Sequence, residues 1–312
     1  MIIVTGGAGF IGSRIIRNLN RQGISNILVV DKLKDSKLKN LASLNFLDFL
    51  DVDSFYKKLN LDSFYYKPKS IFHIGACSDT TETDGEYLLK NNYETSKILA
   101  EFAIKNSIRF VYASSASVYG LGESGFREEL NCESPINLYA FTKWQFDQYI
   151  RQRISLFTAG CIGLRYFNVY GLGEEHKGNM ASPVYKFRKQ IEENGYCQLF
   201  KSYGGYSDGN HLRDFIYIKD IVQITLWSMF NTNKSGIFNV GTSTPRSFND
   251  IAKSIINELG FGEIKYVDFP DKLIGKYQSY TSADITKLKE AGYRNSFYSI
   301  ESGIKDIFSN HE

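Results

Sequence analysis

The first twelve residues constrain the fold more than any other stretch. The β-branched run Ile2-Ile3-Val4 leads into Thr5-Gly6-Gly7-Ala8-Gly9-Phe10-Ile11-Gly12, and an amphipathic pattern follows over residues 10–21. Strand, glycine loop and helix in that order build an anion cradle. Gly6 permits the tight turn, Gly9 lets backbone approach a pyrophosphate, and Gly12 allows close helix–sheet packing. The helix N-terminus offers N–H groups and a positive dipole end to phosphates, so the loop predicts a bound dinucleotide.

The chain that follows alternates as a doubly wound α/β protein must. Buried strands are predicted at residues 2–4, 26–30, 70–74, 108–112 and 161–166, because none shows the period-2 polarity of a half-exposed strand. Helices are predicted at 10–21, 53–59, 85–105 and 138–153. Strands separated by such helices form right-handed crossovers and a parallel sheet covered on both faces. Beyond residue 167 the regularity breaks. Gly-, Asn- and Ser-rich loops at 171–180 and 203–210 separate predicted helices at 184–193, 221–230, 248–259 and 283–290 and strands at 198–200, 237–240 and 264–267. The expectation is a Rossmann-type domain from 1–167 plus about 213–241, with a smaller interleaved lobe from about 168–212 plus 242–312.

Composition excludes several function classes. Charged residues make up 23% and hydrophobic residues 43%, which excludes a disordered or fibrous chain. A net charge of +3 without a long basic run gives no ground for a nucleic-acid partner. No apolar run approaches the roughly 18 residues of a membrane span, and none has the form of a signal peptide. Cys77, Cys132, Cys161 and Cys197 make no CxxC pair, and the four His show no metal spacing. Reduced thiols in a cytoplasmic protein without a structural metal are expected.

Two further positions belong to the dinucleotide. Asp31 ends the second strand, where a carboxylate accepts from an adenosine ribose and so points to NAD. Lys32, Lys34 and Lys37 follow at once and could neutralise the 2′-phosphate of NADP, and these two readings stand side by side. Chemistry is expected at the carboxyl edge of the sheet. Ser114-Ser115-Ala116 follows the strand at 108–112, and Tyr139 and Lys143 lie on one face of the helix at 138–153. A phenol of ordinary pKa near ~10 is a poor base at neutral pH, and a neighbouring ammonium stabilises its phenolate. Lys143 can also reach the nicotinamide ribose, and Ser115 can polarise a substrate hydroxyl or carbonyl.

Together the glycine loop, Ser115 and the Tyr139/Lys143 pair resemble the extended short-chain dehydrogenase/reductase family. The likeness continues in Ile71-Phe72-His73-Ile74-Gly75-Ala76, Asn91-Asn92-Tyr93, Arg165-Tyr166-Phe167-Asn168 and Arg213-Asp214-Phe215, over essentially the whole chain. Nucleotide-sugar epimerases and dehydratases share these segments. Dehydratases normally carry an acidic residue after the catalytic Ser, where this chain has Ala116, so the resemblance implies an epimerase. Stretches 31–35, 75–78, 176–182, 269–273 and 275–278 are similar to the branch that inverts C6″ of an ADP-linked heptose destined for bacterial lipopolysaccharide.

That resemblance implies Tyr139 and Lys177 as two acid/bases, with Ser115 and Lys143 assisting. By residue type alone, Lys177 in a Gly-rich loop reads as a solvated lysine. The resemblance places Gly6, Gly9, Phe10, Ile11, Gly12, Asp31, Lys32, Lys37, Ile74, Gly75, Ala76, Cys77, Ser78, Asn91, Lys143, Val169 and Lys177 on the cofactor. It places Asn168, Asn179, Lys186, Phe200, Lys201, Ser202, Tyr203, Arg213 and Tyr277 on the substrate. A guanidinium such as Arg213 suits a diphosphate, its bland alternative being a surface ion pair with Asp214. NADP, tightly bound and recycled, is the implied cofactor, with NAD the alternative, and a homo-oligomer, often a pentamer, the implied assembly. Departures from the pattern are Val52 at a usual cofactor-contacting Lys, Asn179 at a usual Ser, Lys186 at a usual His, and a longer loop over 203–210. The same fold acting on another nucleotide sugar, for example at C4, is the nearest alternative. A non-enzymatic dinucleotide sensor is a remote one, because such proteins lose the Tyr or Lys that this chain keeps.

Overall fold

The computed structural model describes residues 1–230 and 234–309, so 231–233 and 310–312 of the two expected domains lie outside the described residues. In chain order it runs β1 (Ile2–Thr5), α1 (Phe10–Arg21), β2 (Ile27–Asp31), α2 (Leu38–Leu41), β3 (Asp48–Asp51), α3 (Val52–Asn60), β4 (Ser70–His73), α4 (Gly85–Leu88), α5 (Thr95–Lys105), β5 (Arg109–Ser115), α6 (Leu138–Arg153) and β6 (Cys161–Tyr166). There follow β7 (Asn168–Tyr170), α7 (Pro183–Asn194), β8 (Tyr196–Phe200), β9 (Leu212–Arg213), β10 (Phe215–Tyr217), α8 (Ile218–Phe230), β11 (Gly236–Val240), β12 (Arg246–Ser247), α9 (Phe248–Leu259), β13 (Glu263–Val267), α10 (Thr286–Glu290) and α11 (Ile300–Ser309). Residues divide into two compact units. One is Met1–Val118, Asn137–Arg165 and Ile221–Phe238; the other is Tyr119–Ile136, Tyr166–Asp220 and Asn239–Glu312.

The first unit is built on a seven-stranded sheet of order β11-β6-β5-β4-β1-β2-β3. Pairing is parallel from β3 through β5, with Thr5 opposite both Val30 and His73. Strands β1 and β2 are buried at every residue, as their unbroken apolar runs require of a sheet covered on both faces. One face packs Ile3, Leu28, Val30, Ile71, Phe110 and Tyr112 against Phe55 of α3, Leu99 of α5 and Phe146 and Ile150 of α6. Helix α1 buries Ile15, Ile16 and Leu19. The chain winds outward from β1 to β2 and β3, then returns to place β4 on the other side of β1. That reversal is a topological switch point, and the loops after β1 and β4 flank it.

The second unit pairs β7 with β10 and β8 with β13 in parallel, and β9 with β12 antiparallel, beside α7, α9 and α11. Capping sets its helix ends. Ser182 and Ser247 cap α7 and α9, and Gly195 and Gly260 end them in the left-handed region.

Helices at 10–21, 138–153 and 248–259 and the strand at 161–166 form where the sequence places them. Helices α2 and α11 and the short strands β7, β9, β10 and β12 form where the sequence predicts no element, and two further elements differ. Edge strand β3 offers only Phe49 and Leu50 between aspartates, too short a run to read as buried. The helix expected over 85–105 is interrupted by a π-helical turn at Leu89–Glu94, which apolar periodicity does not reveal.

Candidate active site

The glycine loop fits a bound pyrophosphate on geometric grounds. Gly6 has φ +68°, and a Cβ there would lie 2.7 Å from the Gly75 backbone. A Cβ on Gly12 would lie 2.2 Å from the Gly6 carbonyl oxygen, so the loop tolerates no side chain at either position. Gly9 is the N-cap of α1 and supplies no capping side chain, which leaves that helix end to be met by an anion. Phe10 is buried at its first turn and Ile11 half-buried beside it.

Asp31 is tied back to this loop. Its carboxylate accepts from the Ala8 N–H at 2.9 Å, the Lys32 N–H at 2.7 Å and the Lys37 ammonium at 2.6 Å. Lys32 itself stands half in solvent and pairs loosely with Asp53 at 3.7 Å. Both hints in the sequence therefore occupy one corner: the acid is loaded with donors, and cations stand beside it. Val52 opens α3 next to Asp53. On the other side of the switch point, Ile74 and Gly75 are half-buried and Ala76 and Ser78 exposed, while Cys77 is gripped by Asn92. Asn91 turns its amide to the Tyr87 carbonyl of its own helical segment.

Asn137 caps α6 by accepting from the Ala140 N–H, which starts the helix with Tyr139 in its first turn. The Tyr139 hydroxyl meets the Ser115 hydroxyl, and Ser115 in turn accepts from the Ser117 hydroxyl at 2.8 Å. Burial pushes the Tyr139 phenol up, and the Ser115 hydrogen bond opposes it. One turn on, the Lys143 ammonium donates to the Ala113 carbonyl at 2.8 Å. Burial brings Lys143 down from 10.5 to about 8, against the pull of Asp147. Asp147 lies four residues further along the same face. It accepts from Arg165, Tyr112 and Ser114 at 2.8–2.9 Å, and it and Arg165 are wholly buried. Sequence reasoning stopped at Lys143, although the same four-residue step reaches Asp147.

In the second unit, Lys177 sits in a short helical loop, Glu175–Met180, kinked at Gly178 with φ +52°. Glu174 fastens this loop. Its buried carboxylate accepts from the Gly171 N–H at one end and from the Ser182 N–H and hydroxyl at the other. Burial and nearby Lys186 hold Lys177 below its ordinary pKa, with Glu174 opposing them. Lys177 is thus no freely solvated lysine. Lys186 donates to the Asn179 carbonyl at 2.7 Å, so two expected substrate contacts are adjacent. Val169 pairs with Ile216 between β7 and β10, and the Asn168 N–H donates to the Asp214 carbonyl.

Arg213 is buried, with its guanidinium 4.8 Å from the Tyr277 ring centre. It is not a surface ion-pair partner of Asp214, whose carboxylate accepts from the N–H groups of Thr242, Ser243 and Ala283 and the Thr242 hydroxyl. Phe200, Tyr203 and Tyr277 join an aromatic cluster through Phe269, which stacks on Tyr203 at 3.9 Å. Lys201 and Ser202 turn elsewhere: Lys201 pairs with exposed Asp268, and the Ser202 N–H donates to Asp208. In the 203–210 loop, Gly204 and Gly205 take positive φ and fold Tyr203 back onto Tyr206. Sequence reasoning missed Phe269 as a stacking partner, though it lies in a stretch that carried the resemblance. Among the described residues no group of three or more His, Cys, Asp or Glu could hold a metal ion, and no helix is long and apolar enough to cross a membrane.

Comparisons with known proteins agree with this architecture. Residues 2–241 match the NAD dependent epimerase/dehydratase family. An ADP-L-glycero-D-manno-heptose-6-epimerase of Alkalilimnicola ehrlichii is 46% identical over 307 residues, 98% of this chain and 96% of the relative. One from Brachyspira hyodysenteriae is 48% identical over 313 residues, with the same coverage. The crystal structure of Helicobacter pylori ADP-L-glycero-D-manno-heptose-6-epimerase superposes with a TM-score of 0.86 at 31% identity, covering 99% of this chain and 94% of that one. The chain therefore belongs to the NAD dependent epimerase/dehydratase family and is an epimerase of it, using a nicotinamide dinucleotide and grouping by sequence with the ADP-L-glycero-D-manno-heptose-6-epimerases.

Proposed function

We propose that the protein interconverts ADP-D-glycero-β-D-manno-heptose and ADP-L-glycero-β-D-manno-heptose by inversion at C6″. The near-full-length identity of 46–48% to two enzymes of that name carries the reading. The first unit is read as the dinucleotide domain and the second as the substrate lobe.

When bound, the dinucleotide supplies transient oxidation at C6″ and returns hydride to the other face of the ketone. The protein's own part is proton management. Inversion moves the hydroxyl from one face of C6″ to the other, so two acid/bases are required, and Tyr139 and Lys177 take these roles. Ser115 donates to the Tyr139 oxygen, and the Lys143 ammonium, cationic below about pH 8, favours its phenolate. Lys177, held below its ordinary pKa by burial, gives up its proton more readily than a solvated lysine. Arg213 binds the diphosphate, while Asn168, Asn179, Lys186, Phe200, Tyr203 and Tyr277 complete the sugar-nucleotide contacts.

The dinucleotide is read as NADP. Lys37 neutralises Asp31 at 2.6 Å, which leaves Lys32 to meet a 2′-phosphate. An oligomer of identical chains in the cytoplasm is the working assembly. Exposed Tyr87 of α4, Leu89 of the π turn and Leu138 and Phe141 of α6 are available to an oligomeric contact.

Purified protein incubated with ADP-D-glycero-β-D-manno-heptose, with no cofactor added, is expected to give a two-epimer mixture by NMR at C6″. No conversion even with NADP and then NAD added would transfer the assignment to another nucleotide sugar of the same fold.

A further inference from the structure

Asn249 fastens the 203–210 loop to the first turn of α9. Its backbone N–H, one of the donors that a helix start leaves unmet, donates to the Gly209 carbonyl at 3.1 Å. Its side-chain amide nitrogen donates to the Asp208 carbonyl at 2.8 Å and to the Asn210 amide oxygen at 3.0 Å. Its amide oxygen accepts from the Tyr266 hydroxyl at 3.0 Å. A carbonyl can only accept, so the Asp208 bond fixes which way the Asn249 amide faces, and both amide hydrogens go to the loop. Asn249 is buried, where an unmade bond is costly.

The loop is shaped to receive this clasp. Gly209 has φ +66°, and a Cβ there would lie 2.6 Å from the Asn249 amide oxygen. The Gly209 N–H donates to the Phe200 carbonyl at 2.9 Å, and the Asp208 carboxylate accepts from the Ser202 N–H at 2.8 Å, so the end of the loop is drawn back to its start. Between these ends the Tyr203 hydroxyl accepts from the Gly275 N–H at 2.9 Å, and the Tyr203 carbonyl meets Nε2 of buried His211 at 3.1 Å. Tyr203 thereby lies flat against Phe269, the two rings 9° from parallel. Beyond the loop, Leu212 and Arg213 pair with Ser247 and Arg246, directly before α9. The loop and the strand that carries Arg213 are thus both seated on the residues that begin α9.

We propose that Asn249 is a positioning residue for the substrate: by clasping the loop at Asp208, Gly209 and Asn210 it fixes Tyr203, stacked on Phe269, relative to Arg213, and so sets the gap that receives the base and diphosphate of the sugar nucleotide. The stacked rings offer a flat apolar wall to a purine, and the Arg213 guanidinium offers a fork to the diphosphate. The inference rests on the reading that Phe200, Tyr203, Arg213 and Tyr277 contact the substrate.

The test separates the nucleotide end of the substrate from the chemistry. ADP is titrated by calorimetry into protein saturated with NADP, so that ADP cannot enter the dinucleotide site, for the wild type, Asn249→Ala, Gly209→Ala and Arg213→Met. Melting curves, the Kd for NADP, and kcat and KM for ADP-D-glycero-β-D-manno-heptose are measured on the same proteins. Expected in Asn249→Ala and Gly209→Ala is an ADP Kd and a KM raised about tenfold or more, with NADP affinity and kcat within about threefold of the wild type. Wild-type ADP affinity in both folded variants, with ADP binding weakened in Arg213→Met, overturns the inference and leaves the substrate reading standing. Unchanged ADP affinity in Arg213→Met overturns both. NADP affinity lost to the same degree as ADP affinity marks a general loosening of the fold and also overturns the inference. If Asn249→Ala fails to fold, Gly209→Ala decides alone: ADP affinity equal to the wild type overturns the proposal.

Discussion

Lys143 keeps an ammonium in a place where burial works against it. Its folded pKa of about 8 lies below the ordinary 10.5, so below pH 8 the folded protein carries a charge that the unfolded chain solvates better. That cost is fully present below about pH 8 and relieved as pH rises from 8 toward 10.5. Lys143→Met is therefore expected to lose turnover by about 10²–10⁴-fold yet to gain stability, on the order of 1–3 kcal/mol at pH 7. Urea titrations of both proteins with the dinucleotide removed check this. The gain should shrink above pH 8, and a variant less stable than the wild type at pH 7 would contradict the assignment of strain to Lys143. At this scale much was legible. Tyr139 and Lys143 declare themselves by spacing, whereas the burial of Lys177 and the clasp of Glu174 do not. A lysine in a glycine-rich loop carries no sign of the carboxylate three residues back that ties the loop ends together.

Among elements, β1, β4 and α5 are joined through His73, whose Nδ1 meets the Thr5 hydroxyl at 2.7 Å and whose Nε2 meets the Ser96 hydroxyl at 2.8 Å. Burial takes this imidazole down to about 3, with the Lys143 charge adding to the effect. As pH falls from 6.5 toward 3 the unfolded chain binds a proton that the folded one does not, so stability is lost across that window, by at most about 1.4 kcal/mol per pH unit. His73→Gln, whose amide can donate to Ser96 and accept from Thr5, should flatten this slope relative to the wild type. Stability curves at pH 4, 5 and 6 measure the difference, and parallel curves would mean that His73 titrates normally. The elements themselves divide by length. Runs such as β1, β2 and α6 form where their apolar patterns lie. Strands β7, β9, β10 and β12 span only two or three residues and carry no periodic signal, so tertiary pairing alone defines them.

For the whole molecule, the important fact is that each unit is assembled from three separate stretches of chain. Neither can be cut out as a continuous piece. A chain ended after Asp220 lacks most of α8 and all of β11, and it is expected to give no cooperative thermal transition by circular dichroism. A sharp transition near that of the full chain would show that β6 needs no neighbour. The alternation of strand and helix made the sheet readable from sequence. A later segment is expected to rejoin the dinucleotide domain over about 213–241, and residues 221–238 lie in the first unit; its bounds carry no sequence signal of their own, because helix α8 runs on from β10 without a break. The sheet order has a consequence for biosynthesis. Strand β11 lies at one margin of the sheet and is the last of the seven to leave the ribosome. Until it emerges, β6, made wholly of residues buried in the finished protein, lies uncovered along one edge. The nascent chain is most exposed to wrong pairing in that interval, and there a chaperone would find its clearest target.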